Sequence, residues 1–177
     1  MLFHVLNELR QPIGSVSEID LHEAEVKAGD IVIRDLEGTV RLLRTDRGLL
    51  TRLRAKGTID EECARCLREV RVPVKVSFEE EYVPMFDPNT GASIYLAGEE
   101  QDVTFRINPR FELDLREGLR QYILMSEPAK PLCRPDCAGL CPICGTDLNA
   151  GPHECEPSAD ERWSALAGLK NEISEGN

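Results

Sequence analysis

Strict alternation of apolar and polar positions marks the clearest element of the chain, a strand over residues 70–78. Every second residue from Val70 to Phe78 is apolar, and a period of two is typical of a half-buried β-strand. The residues between them are Arg71, Pro73, Lys75 and Ser77. Because proline has no amide hydrogen to donate to a ladder, we expect this strand at a sheet edge or with a bulge.

A hairpin is predicted just before this strand. Segments 40–44 and 49–54 have the composition of strands, and between them stands Thr45-Asp46-Arg47-Gly48, a typical turn sequence. Residues 103–107 predict one more strand, and the prolines and glycines of 84–101 predict an acidic loop. The pattern of residues 1–30 fits neither period.

Helical spacing appears only later in the chain. Asp114 followed by Glu117 resembles a capping box, and an apolar stripe follows at Leu115, Leu119, Tyr122 and Ile123. A second helix start signal, Ser158 with Glu161, predicts a short terminal helix that packs on the rest of the domain. The predicted fold class is therefore α+β. It has an antiparallel sheet from roughly 31 to 107 and a helix near 114–126, in a body of residues 1–130. A cysteine-rich, zinc-ribbon-like tail of residues 131–177 follows.

Composition and charge narrow the functional class. The chain has 177 residues, 41% of them hydrophobic, and a net charge of −11, which is typical of a soluble protein. Its start has no basic region or cleavage site of a secretory signal, so we expect a cytoplasmic protein without a membrane segment. The acidity argues against binding nucleic acid mainly through phosphates and favours a basic partner. Residues 34–71 are the exception, with ten basic and seven acidic side chains.

Seven cysteines carry the chemistry of this sequence. They occur as Cys63-x2-Cys66, then Cys133-x3-Cys137-x3-Cys141-x2-Cys144, then Cys155. An odd number in a reducing compartment argues against a disulfide framework. Paired Cys-x-x-Cys turns instead supply ligands for a tetrahedral metal ion such as Zn²⁺, and Gly145 permits the close turn after the second pair.

The number of ligands suggests two complete sites. With His153, the seven cysteines make eight ligands, and our hypothesis divides them into two tetrahedra. The first set is Cys63, Cys66, Cys133 and Cys137, and the second is Cys141, Cys144, His153 and Cys155. The alternative is one zinc ion on Cys63, Cys66, Cys141 and Cys144. Closed sites leave no coordination position for a reacting water, so the predicted zinc is structural.

Enzymatic alternatives are weaker. A thioredoxin-like dithiol opens a helix after a strand, whereas Cys66 leads into the predicted strand. The sequence has no phosphate-binding loop, nucleophile elbow or zinc-protease motif. We therefore predict a binding protein without catalytic residues and without a small-molecule substrate.

A row of basic residues offers a weaker candidate site. Arg52, Arg54 and Lys56 share one strand face, and Arg41 and Arg44 follow across the predicted hairpin. The simpler interpretation is the wet face of a half-buried sheet. The functional interpretation is contact with RNA phosphates or an acidic partner, although no aromatic residues are interleaved for base stacking.

The cysteine motifs resemble the YceD family of bacterial 23S rRNA accumulation proteins. The resemblance covers about residues 30–170 and lies in the segment around Cys63, in residues 131–145 and 148–149, and in Asp160-Glu161-Arg162-Trp163 with Leu166. Relatives commonly have Cys-x-Cys where this chain has His153-Glu154-Cys155. Histidine is an acceptable zinc ligand.

The resemblance implies a role in ribosome large-subunit biogenesis without known enzymatic activity. It implies a partner such as a small, basic large-subunit ribosomal protein or a pre-ribosomal particle, with rRNA contact as a further expectation. Some relatives lack many of these cysteines, which implies that metal supports the fold. The alternatives from other classes are a zinc-ribbon nucleic-acid-binding protein and a thiol redox protein.

Overall fold

The computed structural model describes residues 1–96, 98, 104–126 and 128–155. The chain forms two compact units. The first unit contains Met1–Glu61 and Glu69–Pro131, and the second contains Glu62–Arg68 with the residues from Leu132 onward. The terminal helix that the sequence predicts from Ser158 lies outside the described residues.

The first unit is built on a five-stranded sheet with the order β2-β3-β4-β5-β6. Its strands are β2 (Val16–Ala28), β3 (Ile31–Arg44), β4 (Leu49–Glu62), β5 (Glu69–Pro84) and β6 (Phe105–Ile107). A separate antiparallel pair joins β1 (Leu2–His4) to β7 (Glu112–Asp114). The helices are α1 (Leu6–Arg10) and α2 (Arg116–Ser126), and a 3-10 turn spans Leu148–Ala150 in the second unit.

The predicted α+β class is confirmed, with two corrections to the sheet. The sheet begins at Val16 rather than near residue 31. The sequence pattern misses β2 because this edge strand exposes residues of both parities and so has no clean period of two. The short β6 runs parallel to β5 and pairs only with Tyr82–Pro84 among the described residues. Among the described residues, β6 does not extend along β5 as far as Pro73, and an unpaired stretch of strand suits a residue without an amide hydrogen.

The predicted hairpin is formed by β3 and β4. The amide of Thr45 donates to the Gly48 carbonyl at 3.0 Å, and the amide of Gly48 donates to the Thr45 hydroxyl at 2.9 Å. A Cβ atom at Gly48 would lie 2.1 Å from the Tyr82 carbonyl oxygen. Only glycine fits this turn without a shift of the backbone.

Helix α2 covers one face of the sheet with the stripe that the sequence predicts. Leu115, just before the helix, and Leu119 and Ile123 within it are fully buried, and Tyr122 stacks on Phe78 with ring centroids 5.0 Å apart. Full burial of such side chains contributes roughly 1.5–3 kcal/mol each. Asp114 accepts a hydrogen bond from the Arg116 amide at 3.0 Å and so caps the helix. Within the described ranges, the helices are too short or too polar to cross a bilayer.

Candidate metal centres

The first Cys-x-x-Cys segment forms a tight turn between β4 and β5. The amide of Cys63 donates to the Arg68 carbonyl at 2.8 Å, and the amide of Leu67 donates to the Cys63 carbonyl at 2.9 Å. Leu67 has φ 57°, a left-handed conformation that is unfavourable for a residue with a Cβ atom. The two backbone hydrogen bonds of the turn therefore form despite the unfavourable backbone conformation of Leu67.

The second Cys-x-x-Cys segment repeats this backbone arrangement. The amide of Cys141 donates to the Thr146 carbonyl at 2.8 Å, and the amide of Gly145 donates to the Cys141 carbonyl at 2.9 Å. Gly145 has φ 76°, which glycine adopts without strain. The two segments, residues 63–68 and 141–146, are called the first and second knuckle below.

Polar contacts connect the first knuckle to the tail inside the second unit. The guanidinium of Arg65 donates to the Cys137 carbonyl at 2.7 Å, and the Arg65 carbonyl accepts from the Leu140 amide at 3.1 Å. Arg68 forms an ion pair with Asp147 at 2.8 Å. These contacts hold together segments that are more than 60 residues apart in the sequence.

The first ligand group consists of Cys63, Cys66, Cys133 and Cys137, whose four sulfurs all lie within 4.8 Å of one another. The Cys63 and Cys137 sulfurs are 3.9 Å apart, and the Cys66 and Cys133 sulfurs are 3.7 Å apart. Both distances are far longer than the bond of about 2.05 Å in a disulfide. Cys63, Cys66 and Cys137 are buried.

The second ligand group consists of Cys141, Cys144, His153 and Cys155, again with ligand atoms within 4.8 Å of one another. The Cys144 sulfur lies 3.0 Å from His153 Nε2 and 3.2 Å from the Thr146 hydroxyl. Cys141 is buried, Cys144 is exposed, and the other two members are half-buried. All four members come from a single stretch of 15 residues.

Both groups have the donor set and spacing of a tetrahedral metal site. Four sulfurs held about 2.3 Å from a Zn²⁺ ion lie about 3.8 Å apart, close to the 3.7 and 3.9 Å of the first group. The two groups have the same members as the two tetrahedra of the sequence-based hypothesis. The single-site alternative would need Cys63 and Cys66 beside Cys141 and Cys144, and the structure places these pairs in different groups.

Within the first group, the thiols differ in their tendency to ionise. The backbone amides of Cys133, Cys66 and Arg65 donate to the Cys63 sulfur and lower the pKa of Cys63 to about 6. Burial and the neighbouring thiols raise the pKa of Cys133 to about 12. Adjacent thiolates repel one another, so a cation is needed before all four ionise together.

The second group shows the same division. The hydroxyl and the amide of Thr146 donate to the Cys144 sulfur and lower the pKa of Cys144 to about 6. Burial and the proximity of Cys144 and Cys141 raise the pKa of Cys155 to about 11. Each group thus combines a thiol whose pKa is lowered with a thiol whose pKa is raised.

The structure adds residues that the sequence analysis did not single out as part of the site. Asn149 donates from Nδ2 to the Cys137 sulfur at 3.5 Å, and its Oδ1 accepts from the Ala138 amide at 2.9 Å. Asp147 accepts from the Asn149 amide at 2.9 Å and thereby orients Asn149. The motif Leu148-Asn149 was visible in the sequence only as part of a resemblance.

The basic row of the sequence analysis divides into two parts. Arg41, Arg52, Arg54 and Lys56 are exposed on strands β3 and β4. Arg44 does not belong with them, because its guanidinium donates to the carbonyls of Leu9 at 2.8 Å and Gly48 at 3.0 Å. Arg44 therefore stabilises the end of the hairpin.

Fold and site together define an α+β protein with a cysteine-rich unit that carries two groups positioned to bind a metal ion. The family model described as "Large ribosomal RNA subunit accumulation protein YceD" matches residues 51–170. The chain belongs to the YceD family, and this membership indicates a ribosome-associated role.

Relatives from mycobacteria extend the similarity over most of the chain. Proteins of Mycobacterium tuberculosis and Mycobacterium bovis, both described as uncharacterized, are 30% identical over 159 residues, which cover 90% of this chain and 72% of each relative. An uncharacterized protein of Mycobacterium leprae is 24% identical over 161 residues, which cover 91% of this chain and 69% of that protein. No solved structure matches this chain.

Proposed function

We propose that this chain is a non-enzymatic factor in ribosome large-subunit biogenesis that supports the accumulation of 23S rRNA in the bacterial cytoplasm. The observation that carries the proposal is the match of the YceD family model over residues 51–170. The factor acts by binding a basic large-subunit ribosomal protein or an assembling subunit.

The charge distribution supports a basic partner. The whole chain has a net charge of −11, which favours encounter with positively charged ribosomal proteins. Edge strand β2 exposes Glu18, Asp20, Glu23 and Glu25, and only Glu25 of these four has an ion pair with a described residue. Asp20 and Glu23 thus have no ion pair within the described residues and can pair with lysines and arginines of a partner, whereas Glu18 lies opposite Arg41.

The ligand groups support a structural role for zinc. Zinc sites built from four cysteine or histidine ligands are closed and contribute their binding energy to folding. Both groups supply four such ligands, so each would hold one Zn²⁺ ion through its own side chains. The metal would then stabilise the second unit, and the partner would be bound by the protein surface.

The proposed function is tested by deleting the gene in its host. The expected result is a lower ratio of 23S to 16S rRNA and a smaller large-subunit peak on a sucrose gradient, both restored by the wild-type chain. A deletion strain with unchanged 23S rRNA and an unchanged large-subunit peak would overturn the proposal. The amount of 16S rRNA per cell serves as the internal control.

A further inference from the structure

One sheet face of the first unit brings five basic side chains together among acidic ones, which include Glu18, Asp20, Glu37 and Glu79. This surface, called the open face below, points away from the core on strands β3, β4 and β5. Its basic members at the centre are Arg41, Arg52, Arg54, Lys56 and Lys75, all exposed. Residues of the opposite parity, such as Val40, Leu53 and Val76, are buried.

The arginines of the open face stand close together across two strands. Arg41 lies directly opposite Arg52, and Thr39 lies directly opposite Arg54. Directly opposed side chains have Cβ atoms about 5 Å apart, and like charges in such a pair destabilise a sheet. Nearby carboxylates or a bound anion can offset this cost, and Glu18 lies directly opposite Arg41 on β2.

The protein supplies only part of that compensation. Arg52 pairs with Glu79 and Lys56 with Glu37 at 3.2 Å. Arg41 and Arg54 have no hydrogen-bond or ion-pair partner among the residues that the structure describes. Two guanidinium groups on neighbouring strands therefore keep their donors available.

Another part of the same sheet shows that its charges can be balanced internally. Arg34 forms ion pairs with Glu25 and with Asp60, both at 2.9 Å, and Asp60 also lies 3.5 Å from Arg71. These residues alternate in sign across four strands. The unpaired arginines are thus a local feature of the open face.

A hollow of about 120 Å³ lies among the arginines, lined by Glu18, Thr39, Arg41, Arg52 and Arg54. Guanidinium groups bind phosphate oxygens in pairs of parallel hydrogen bonds, and a hydroxyl adds a further donor. Glu18 lies opposite Arg41 on β2 and is the one lining carboxylate. The hollow therefore suits a phosphate group, and the negative charge of Glu18 lowers the affinity for it.

We propose that Arg41 and Arg54, beside the Arg52–Glu79 ion pair, bind the phosphate backbone of RNA on the open face. The proposal rests on the proposed function for its choice of RNA among polyanions, since an assembling large subunit presents RNA. The central rows of the open face carry no aromatic side chain for stacking on bases. Binding is therefore directed to the backbone and is independent of sequence.

The test measures binding of the full chain to a fluorescein-labelled single-stranded RNA of 20 nucleotides by anisotropy over a series of salt concentrations. The test variant is Arg41→Gln/Arg54→Gln. The matched control is Arg110→Gln/Lys130→Gln, which removes the same charge from exposed residues outside the open face. Circular dichroism verifies that both variants are folded.

We expect the test variant to bind at least tenfold more weakly than the control. Its slope of log affinity against log salt should be smaller by about 1.4, because each lost phosphate contact removes about 0.7. A third variant, Glu18→Gln, should bind more tightly than the wild type. A gain of affinity cannot arise from damage to the fold.

Equal losses in the test and control variants would overturn the proposal, as would an absence of RNA binding by the wild type at low salt. Displacement of the RNA by poly-glutamate at lower concentrations than by unlabelled RNA would also overturn it, in favour of an acidic protein partner. The measurement is made on purified components. Its failure is therefore distinguishable from unchanged 23S rRNA in the deletion strain, which concerns the proposed function.

Discussion

The two ligand groups are built on the same knuckle turn but differ in how they use the chain. The first joins residues 67 to 74 positions apart in the sequence, Cys66 with Cys133 and Cys63 with Cys137, and three of its members are buried. The second lies within residues 141–155, and Cys144 is exposed. The first group therefore closes a long loop and organises the second unit, whereas the second group orders a local segment.

This comparison predicts the largest effect for Cys137→Ser. The variant removes a buried ligand of the first group, so we expect it to lose the metal ion of that group and to unfold the second unit. The zinc content measured by elemental analysis should fall from two Zn²⁺ ions per chain to one or none, and limited proteolysis should cleave the tail rapidly. Two retained ions and unchanged proteolysis would contradict the long-range role of the first group.

Cys144→Ser should have a smaller effect, because its group is local and more exposed. We expect the loss of one metal ion, retention of the other, and a smaller decrease in Tm than for Cys137→Ser. Thermal melts of the two variants at the same zinc concentration make the comparison direct. A larger decrease in Tm for Cys144→Ser would reverse the assigned order of the two groups.

Asn149→Ala tests the support of the first group without removing a ligand. Because Asn149 donates to the Cys137 sulfur, its loss should weaken the metal affinity of that group by roughly tenfold. Competition with a chelator measures the change. Asn89→Ala, in an exposed loop of the first unit, is the control and should leave the affinity unchanged.

At the left-handed position the first knuckle has Leu67 and the second has Gly145, and substitutions there have the smallest expected effects. Gly145→Ala introduces a Cβ atom that meets no other atom within 4 Å, so its cost is the left-handed backbone alone, about 1 kcal/mol. Gly91 has φ 71° and equally open surroundings. Gly91→Ala should therefore cost a similar free energy of unfolding, but only Gly145→Ala should weaken metal binding.

Leu67→Gly changes the first knuckle in the opposite direction. The substitution relieves the left-handed strain at Leu67, whose side chain is 61% exposed, at the cost of a more flexible unfolded chain. We expect a stabilisation of roughly 0.5–1 kcal/mol, measured by denaturant unfolding of the zinc-loaded protein. A destabilised variant would show that Leu67 contributes a contact that outweighs the strain.

Much of the fold was predictable because its signals are local. The alternation of 70–78, the turn at 45–48 and the stripe from Leu115 to Ile123 each encode one element and its buried face. Strand β2 was not predictable in this way, since an edge strand with exposed residues of both parities has no clear period. The parallel pairing of β6 with β5 depends on contacts between segments that are distant in the sequence, and the periodicity of one segment does not predict such contacts.

In the candidate site too, some features were predictable from the sequence and others were not. Spacing singled out the eight ligand residues, but it left two pairings open, because spacing alone does not say which segments meet in space. Asn149 and Asp147 carry no spacing signal and are identified only by their hydrogen bonds. Arg44 and Arg41 look alike in the sequence. Arg44 donates to backbone carbonyls, whereas Arg41 is exposed and has no hydrogen-bond or ion-pair partner within the described part of the chain.

Elemental analysis of untagged protein, with thiol counting in parallel, tests most directly whether both groups hold zinc. We expect two Zn²⁺ ions per chain and no reactive thiol until a strong chelator removes the metal, after which all seven cysteines react. Protein that contains no metal and readily forms a disulfide would contradict the account and favour the thiol redox alternative.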